Sequence, residues 1–272
     1  MSDQKKGKVV IAGAGPGDPD LITVKAARHL QAADVVLTDR LVSEEILHAY
    51  VRKDAEILYV GKQCRLGIST PQKTINELLV DYALMGKRVV RLKGGDVSIF
   101  SNIMDELEAL VANEIEYEIV PGVTAALGAA ATAGIPLTAR GYATAVRFLT
   151  YYKSDIITDA YWKELAATED TLVFYMSSET LDKVVEKLTA NHIAGDKLLA
   201  VIEQATTPFQ KVYTSNLYDY RLRWKNFISP SLVIIGKVVA LHEQFGWLAN
   251  SESDQYYFKP VEQVIENIKL SA

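Results

Sequence analysis

Cysteine is nearly absent from this chain. Cys64 is the sole cysteine in 272 residues, which excludes an internal disulfide and points to a reducing, cytoplasmic compartment. Histidine is scarce too: His29, His48, His192 and His242 stand at spacings that suit no metal site, so none is expected. No stretch approaches the roughly 20 continuous apolar residues that span a bilayer, and the opening MSDQKKGK lacks the apolar run of a signal peptide. Basic residues are outnumbered, 29 Lys and Arg against 34 Asp and Glu, for a net charge of -5. A broad basic surface for nucleic acid is therefore not expected, although a local Arg and Lys cluster could still meet an anionic substrate. What remains is an ordinary globular composition, 49% hydrophobic and 23% charged, in a chain long enough for two domains.

Apolar β-branched runs at 9–12, 35–38, 57–60, 88–92 and 117–120 read as strands. Between them lie helical patterns. One spans 21–33 with Leu21, Val24, Ala27 and Leu30 on a stripe, one follows a Ser43 N-cap toward Tyr50, and one runs from Thr70-Pro71 to a stop at Gly86. This alternation predicts an α/β first domain, 1–122, with a mostly parallel sheet. An alanine-rich helix at 123–133 connects it to a second α/β domain, 123–245. There, runs at 146–150, 171–175, 198–202, 211–214 and 232–235 predict a mixed sheet. The remainder, 246–272, is an extension with turn-like residues and a short amphipathic helix at 260–270.

Three strand ends in the first domain carry small residues: Gly13 to Asp18, Gly94 to Asp96, and Pro121 to Thr124. Ligands of open α/β sheets lie beyond the carboxyl ends of strands, and glycine exposes backbone N–H and C=O groups. Three such ends point to one shared crevice. Gly13 and Gly15, with Asp39 after the next strand, also mimic a dinucleotide fingerprint. That motif needs a helix opening directly on the glycines. Here Pro16, Gly17, Asp18 and Pro19 intervene, and Asp18 would repel a phosphate.

The runs VVIAGAGPGDPDLIT, ADVVLTDRLVS, YVGK, PQKTINELLVDYALMGKRVVRLKGGD, IEYEIVPGVTAALGAAATAGIPLTAR, TLVFYM, TTPFQ and SPSLVIIGKVVAL occur in order from Lys8 to about Leu241. They resemble the tetrapyrrole methylase family, and within it the uroporphyrinogen-III C-methyltransferase branch. The resemblance implies two α/β domains with S-adenosylmethionine in the cleft between them, a tetrapyrrole acceptor of siroheme and cobalamin biosynthesis, and a homodimer. Carried over by position, it implies cofactor contacts at Pro16, Gly94, Gly95, Asp96, Ile99, Thr124, Ala125, Met176, Ala205 and Ser231. It assigns proton handling to Asp39 and Lys62. A substrate with eight carboxylates calls for cations, and Arg40, Lys62, Arg65, Arg140 and Arg147 lie in or beside predicted loops. Cys64 between Lys62 and Arg65 has no histidine partner nearby in sequence and receives no role.

The departures from the family pattern fall on the substrate side. The segment after GGD reads VSIFSNIMDE, placing Asn102 where the family carries arginine; Ala139 and Gly141 replace a histidine and an acid; Tyr151 and Tyr152 replace a glycine-histidine pair. One reading keeps uroporphyrinogen III, with Asn102, Tyr151 and Tyr152 donating hydrogen bonds and Arg140 or Arg147 supplying charge. Others are a different precorrin-type acceptor, a non-catalytic tetrapyrrole-binding protein, a nicotinamide-dependent oxidoreductase, or an RNA methylase.

Overall fold

The computed structural model describes residues 6–60, 62–63, 68–69, 71–151, 157–222 and 227–258. Cys64, Arg65, Tyr152 and the terminal helix expected at 260–270 lie outside the described residues, and of Lys62 only the backbone is described. The described chain divides into two compact units: residues 6–125 with 257–258, and Ala126–Tyr256. The division falls three residues after the boundary expected at 122, and residues 246–256 go with the second unit.

In the first unit, β1 (Lys8–Gly13), β2 (Val35–Thr38), β3 (Glu56–Tyr59), the short pair β4 (Lys62–Gln63) and β5 (Ile68–Ser69), β6 (Val89–Lys93) and β7 (Glu116–Val120) alternate with helices. These are α1 (Val24–Ala32), α2 (Glu44–Tyr50), α3 (Gln72–Leu84) and α4 (Ile103–Ala112). The main sheet is fully parallel in the order β3-β2-β6-β1-β7. Strand alternation sorts its side chains. Val10, Ala12, Val36, Val90 and Leu92 pack with α1 and α2, while Val9, Ile11, Val35, Leu37 and Val89 pack with α3 and α4. Each fully buried aliphatic chain contributes about 1.5–3 kcal/mol relative to exposure.

The stripe expected on 21–33 is corrected. Pro19–Leu21 forms a 3-10 turn, and the Thr23 hydroxyl then accepts the Ala26 N–H at 3.2 Å, so α1 begins at Val24. Its buried face is Ala26 and Leu30, whereas Val24 is exposed. A β-branched residue just inside an N-cap can face solvent, because the cap and not apolar periodicity fixes the start. Ser43 does precede α2, without a side-chain capping bond. At the end of α3, Gly86 takes a φ of +78° and closes the helix with a bond from its N–H to the Ala83 carbonyl.

The second unit holds β8 (Val146–Thr150), α6 (Asp159–Ala167), β9 (Thr171–Tyr175), α7 (Leu181–Ala190), β10 (Leu198–Glu203), β11 (Lys211–Asn216), β12 (Ser231–Gly236) and α8 (His242–Phe245). Helix α5 (Ala125–Ala133) begins at the division between the units. The sheet order is β11-β10-β12-β9-β8, parallel only between β8 and β9. Trp162 of α6 and Leu181, Val184 and Leu188 of α7 cover one face. Ala126, Ala129, Ala130 and Ala133 of α5 cover the other. The alanine-rich segment is thus a packed layer as well as a connector, its small side chains allowing close approach to the sheet.

All five strands of the first sheet end at one edge, and three of those ends touch. A Cβ on Gly13 would lie 2.6 Å from the Gly95 carbonyl oxygen and 2.7 Å from the Gly122 Cα. A Cβ on Gly122 would in turn strike Gly95 and the Gly13 Cα at 2.8 Å. Every atom met is backbone, which cannot swing aside. Gly122→Ala is therefore expected to destabilise the protein by about 3 kcal/mol through overpacking. Gly195→Ala, where a Cβ meets nothing within 4 Å, is expected to be neutral; urea unfolding of both variants checks the contrast.

On the edge strand β7, Glu118 pairs with Lys8 at 3.0 Å, with Lys25, and with His29 at 3.5 Å. Hydrogen bonds from Lys25 and then Lys8 hold its carboxyl down at about 2. Since its folded value lies below the ordinary 4.5, its stabilisation is present above that pH and lost as pH falls toward 2. Glu118→Gln should lower Tm at pH 6 and converge with the wild type near pH 2; equal Tm values at pH 6 would contradict this.

Candidate functional site

The carboxyl edge of the first sheet gathers Pro16, Gly94, Gly95, Asp96, Ile99, Thr124 and Ala125. Strand order places the divergence there, since β1 leads to α1 on one face and its neighbour β6 leads to α4 on the other. Gly15 and Gly95 exchange backbone hydrogen bonds of 3.1 and 2.8 Å, locking the loop of Pro16 to that of Gly94–Asp96. Gly95 takes a φ of +70°, and a Cβ there would meet only the Ala125 backbone nitrogen, at 3.8 Å. Ala125 is the first residue of α5, where helix N–H groups lack intrahelical acceptors. Gly94 has a different reason: a Cβ would meet Leu41 at 2.9 Å.

Asp96 is buried, and its carboxylate is used internally. One oxygen accepts from the Ser98 N–H at 2.8 Å and from the Ser98 hydroxyl; the other accepts from the Gly122 N–H at 2.9 Å. Burial acts to raise its carboxyl, but these bonds outweigh it and hold the group below the usual carboxylate range. Asp96 thereby braces the end of β6 against the end of β7.

Asp39 follows β2 on the same edge, its side chain 26% exposed. Its Oδ1 lies 2.5 Å from Arg91 Nη2. Arg91 is buried on β6 and also donates from Nε to Glu106 at 2.9 Å, while Lys93 donates to the other Glu106 oxygen at 2.9 Å. Burial opposes the Arg91 charge, but Asp39 and Glu106 more than offset it and raise its pKa. Burial, then neighbouring Arg91, push the Lys93 ammonium down. Arg91, Lys93 and Glu106 were not among the residues expected from sequence. The signal was available: cations at alternate positions of an apolar strand share one face, and a buried face requires partners for them. Arg40, beside Asp39, is half-buried and engaged in an interaction of its own. Lys62 belongs to β4, paired by backbone with Ser69.

In the second unit the ends of β8, β9 and β10 and the start of β12 share one edge, because β12 runs antiparallel to both β9 and β10. Tyr151, Met176, Ala205 and Ser231 therefore sit on it. The Ser231 hydroxyl is buried with no hydrogen-bond partner among the described residues. Tyr151 packs edge-on against Trp162 at 5.3 Å, so its ring serves the core of this unit. Arg147 lies near the other end of β8, where Asp170 accepts from its Nε at 2.6 Å and Glu164 from its Nη1. These partners, Glu164 foremost, raise its pKa and commit its charge away from the edge it was expected to serve. Arg140 is exposed on a turn closed by paired backbone bonds between Ala139 and Ala143, with Gly141 at a φ of +82°. It makes no ion pair among the described residues.

Backbone conformation picks out the same places. Seven described non-glycine residues have positive φ. Glu114 and His192 follow the caps of α4 and α7, where left-handed residues end helices. The other five are Phe100 and Asn102 beside Ile99, Met176 itself, and Gln204 and Thr206 on either side of Ala205. Such conformations cost about 1–3 kcal/mol each and gather at ligand sites. Phe100, Gln204 and Thr206 carry no sequence signal for this, since no residue type encodes the strain.

A model of the tetrapyrrole (corrin/porphyrin) methylases matches residues 8–220. Siroheme synthase of Pseudomonas fluorescens strain Pf0-1 is 49% identical over 248 residues, covering 90% of this chain and 53% of that protein. Siroheme synthase of Vesicomyosocius okutanii is 44% identical over 243 residues, 89% of this chain and 52% of that protein. The chain spans about half the length of the curated relatives it matches. Among solved structures, uroporphyrin-III C-methyltransferase from Thermus thermophilus has a TM-score of 0.74 at 33% identity, covering 89% of this chain and 98% of that one. The same enzyme complexed with S-adenosylhomocysteine has a TM-score of 0.72 at 33% identity, covering 86% of this chain and 100% of that one. A cobalt precorrin-4 methyltransferase has a TM-score of 0.74 at 31% identity, covering 85% of this chain and 95% of that one. Among the described residues no helix is long and apolar enough to cross a membrane. With the strand-end loops of its first sheet clasped at one edge and a family match across most of its length, the chain belongs to the tetrapyrrole methylases.

Proposed function

We propose that the chain is an S-adenosylmethionine-dependent C-methyltransferase that converts uroporphyrinogen III to precorrin-2 in siroheme and cobalamin biosynthesis. The observation that carries this reading is the mutual contact of Gly13, Gly95 and Gly122 at the carboxyl edge of the first sheet. Strained Met176, Gln204 and Thr206 at one edge of the second sheet support it. The residues present fit the donor. Gly95 offers an open side beside the backbone nitrogen of Ala125, the first residue of α5; in the other unit, the Ser231 hydroxyl is buried without a partner among the described residues.

When bound, S-adenosylmethionine supplies a sulfonium methyl group to the nucleophilic pyrrole carbon, whose electron pair forms the C–C bond as the C–S pair returns to sulfur. The chain's task is to hold the acceptor in attack geometry and to remove the proton that the methylated macrocycle must lose. Asp39 is the proposed acceptor of that proton, its Oδ1 anchored by Arg91 and its carboxylate partly exposed. Lys62 is the second residue proposed for proton handling, as the family resemblance implies. Arg140, exposed on its turn, is the proposed partner for a substrate carboxylate. A cytoplasmic setting fits a chain with one cysteine, and a homodimer is the assembly that the family resemblance implies.

A second reading, another precorrin-type acceptor, is favoured by Asn102 and Ala139 standing where the family pattern has arginine and histidine. Incubation with labelled S-adenosylmethionine and a panel of freshly reduced porphyrinogens and precorrins separates them. Two methyl groups gained per uroporphyrinogen III support the main reading. Transfer only to another acceptor supports the second, and binding without transfer overturns both. Asp39→Asn should lower kcat by about two orders of magnitude or more, with S-adenosylhomocysteine affinity little changed; undiminished turnover would remove Asp39 from the chemistry. Arg140→Ala should raise the acceptor KM about tenfold, as loss of a charged hydrogen bond predicts. Arg147→Ala should lower Tm without that change in KM.

A further inference from the structure

We infer that Arg91 is a positioning residue for Asp39, and that Glu106 and Lys93 hold Arg91 in place to do it; the inference rests on Asp39 acting in the methyl-transfer site. The guanidinium of Arg91 is shared among four acceptors. Nε donates to Glu106 Oε1 at 2.9 Å, Nη1 to the carbonyls of Leu37 and Leu92 at 3.3 and 3.2 Å, and Nη2 to Asp39 Oδ1 at 2.5 Å. It is thus fixed to β2, β6 and α4 at once and cannot rotate without breaking bonds to all three. Asp39 has its backbone tied as well, its N–H donating to the Leu92 carbonyl at 3.1 Å. Oδ1 is held inward, and no hydrogen bond to Oδ2 is found among the described residues, which leaves that oxygen for an incoming proton.

Charge counting explains why the anion stands there. Arg91 and Lys93 are 3% and 4% exposed and Glu106 is fully buried, so the buried trio carries two positive charges against one negative. Asp39 supplies the missing negative charge at the partly exposed end of the chain of contacts. A buried ion cluster is a poor device for stability, because desolvation consumes most of the Coulomb attraction and apolar packing often serves as well. A closed pair of Glu106 with one cation would also satisfy the core. The extra cation makes sense as a fixed socket that orients a carboxylate at the strand end. Arginine suits the socket because its planar fork reaches several acceptors, which a lysine ammonium at that position cannot do.

The test is a double-mutant cycle on the full chain with Arg91→Lys, Asp39→Asn and the pair, measuring kcat, acceptor KM, S-adenosylhomocysteine affinity and Tm. Arg91→Lys keeps the charge but loses the fork. It is expected to lower kcat at least thirtyfold with KM and S-adenosylhomocysteine affinity changed less than threefold. Added to Asp39→Asn it should lower kcat no more than threefold further. Glu106→Gln, which leaves the Arg91–Asp39 contact but loosens its anchor, is the second variant should Arg91→Lys not fold, with the same non-additivity expected. Near-wild-type kcat in either variant, or losses that multiply with Asp39→Asn, would overturn the inference while the Asp39 reading stands. Wild-type turnover in Asp39→Asn would overturn that reading, and the inference with it.

Discussion

Backbone meets backbone where β1, β6 and β7 end. Gly13, Gly95 and Gly122 approach so closely that a single added carbon on Gly13 or Gly122 would collide with main-chain atoms, and the rest of the first unit's carboxyl edge is built around that approach. The Gly15–Gly95 exchange continues it outward, and the Asp96 carboxylate ties it across to Gly122. Three loops that leave three different strands are thereby held as one rigid rim. Preorganisation of this kind matters for group transfer between two bound molecules, because geometry fixed beforehand need not be bought from binding energy at the moment of reaction.

Beneath that rim lies charge where an apolar layer would otherwise be expected. The face of β6 that carries Val89 continues into Arg91 and Lys93, and α4 answers with the buried Glu106. The cluster reaches the edge through Asp39. Its placement couples the central strand of the sheet to the loop after β2, so that the carboxylate is set by tertiary contacts on three elements and not by its own loop.

The second unit shapes the corresponding edge by other means. Its sheet is mixed, and the residues of interest are held in left-handed conformations by the packing around them: Met176 at a φ of 53°, Gln204 at 46° and Thr206 at 66°. Glycine would adopt these angles without strain, yet none of the three is glycine. The side chains are kept at an energetic cost that the surrounding core must offset.

Much of the architecture was legible in advance because it rests on local rules. Apolar runs of strand length, separated by capped helices, determine an α/β chain with a parallel first sheet and a mixed second one. Glycine is read directly from sequence, so the loops at Gly13, Gly94–Gly95 and Gly122 were marked, as were Asp39 and the family they resemble. The start of α1 was misread because the Thr23 cap outweighs apolar spacing. What tertiary structure alone decided is which charges are spent and which are free. Arg147 and Arg140 are the same residue type and stand seven positions apart, yet Asp170 and Glu164 neutralise the first while the second makes no ion pair among the described residues. Arg91 and Glu106, 15 positions apart, become partners only when a helix folds over a strand. Ion pairing and backbone strain depend on what lies nearby in space, and spacing along the chain does not carry that information.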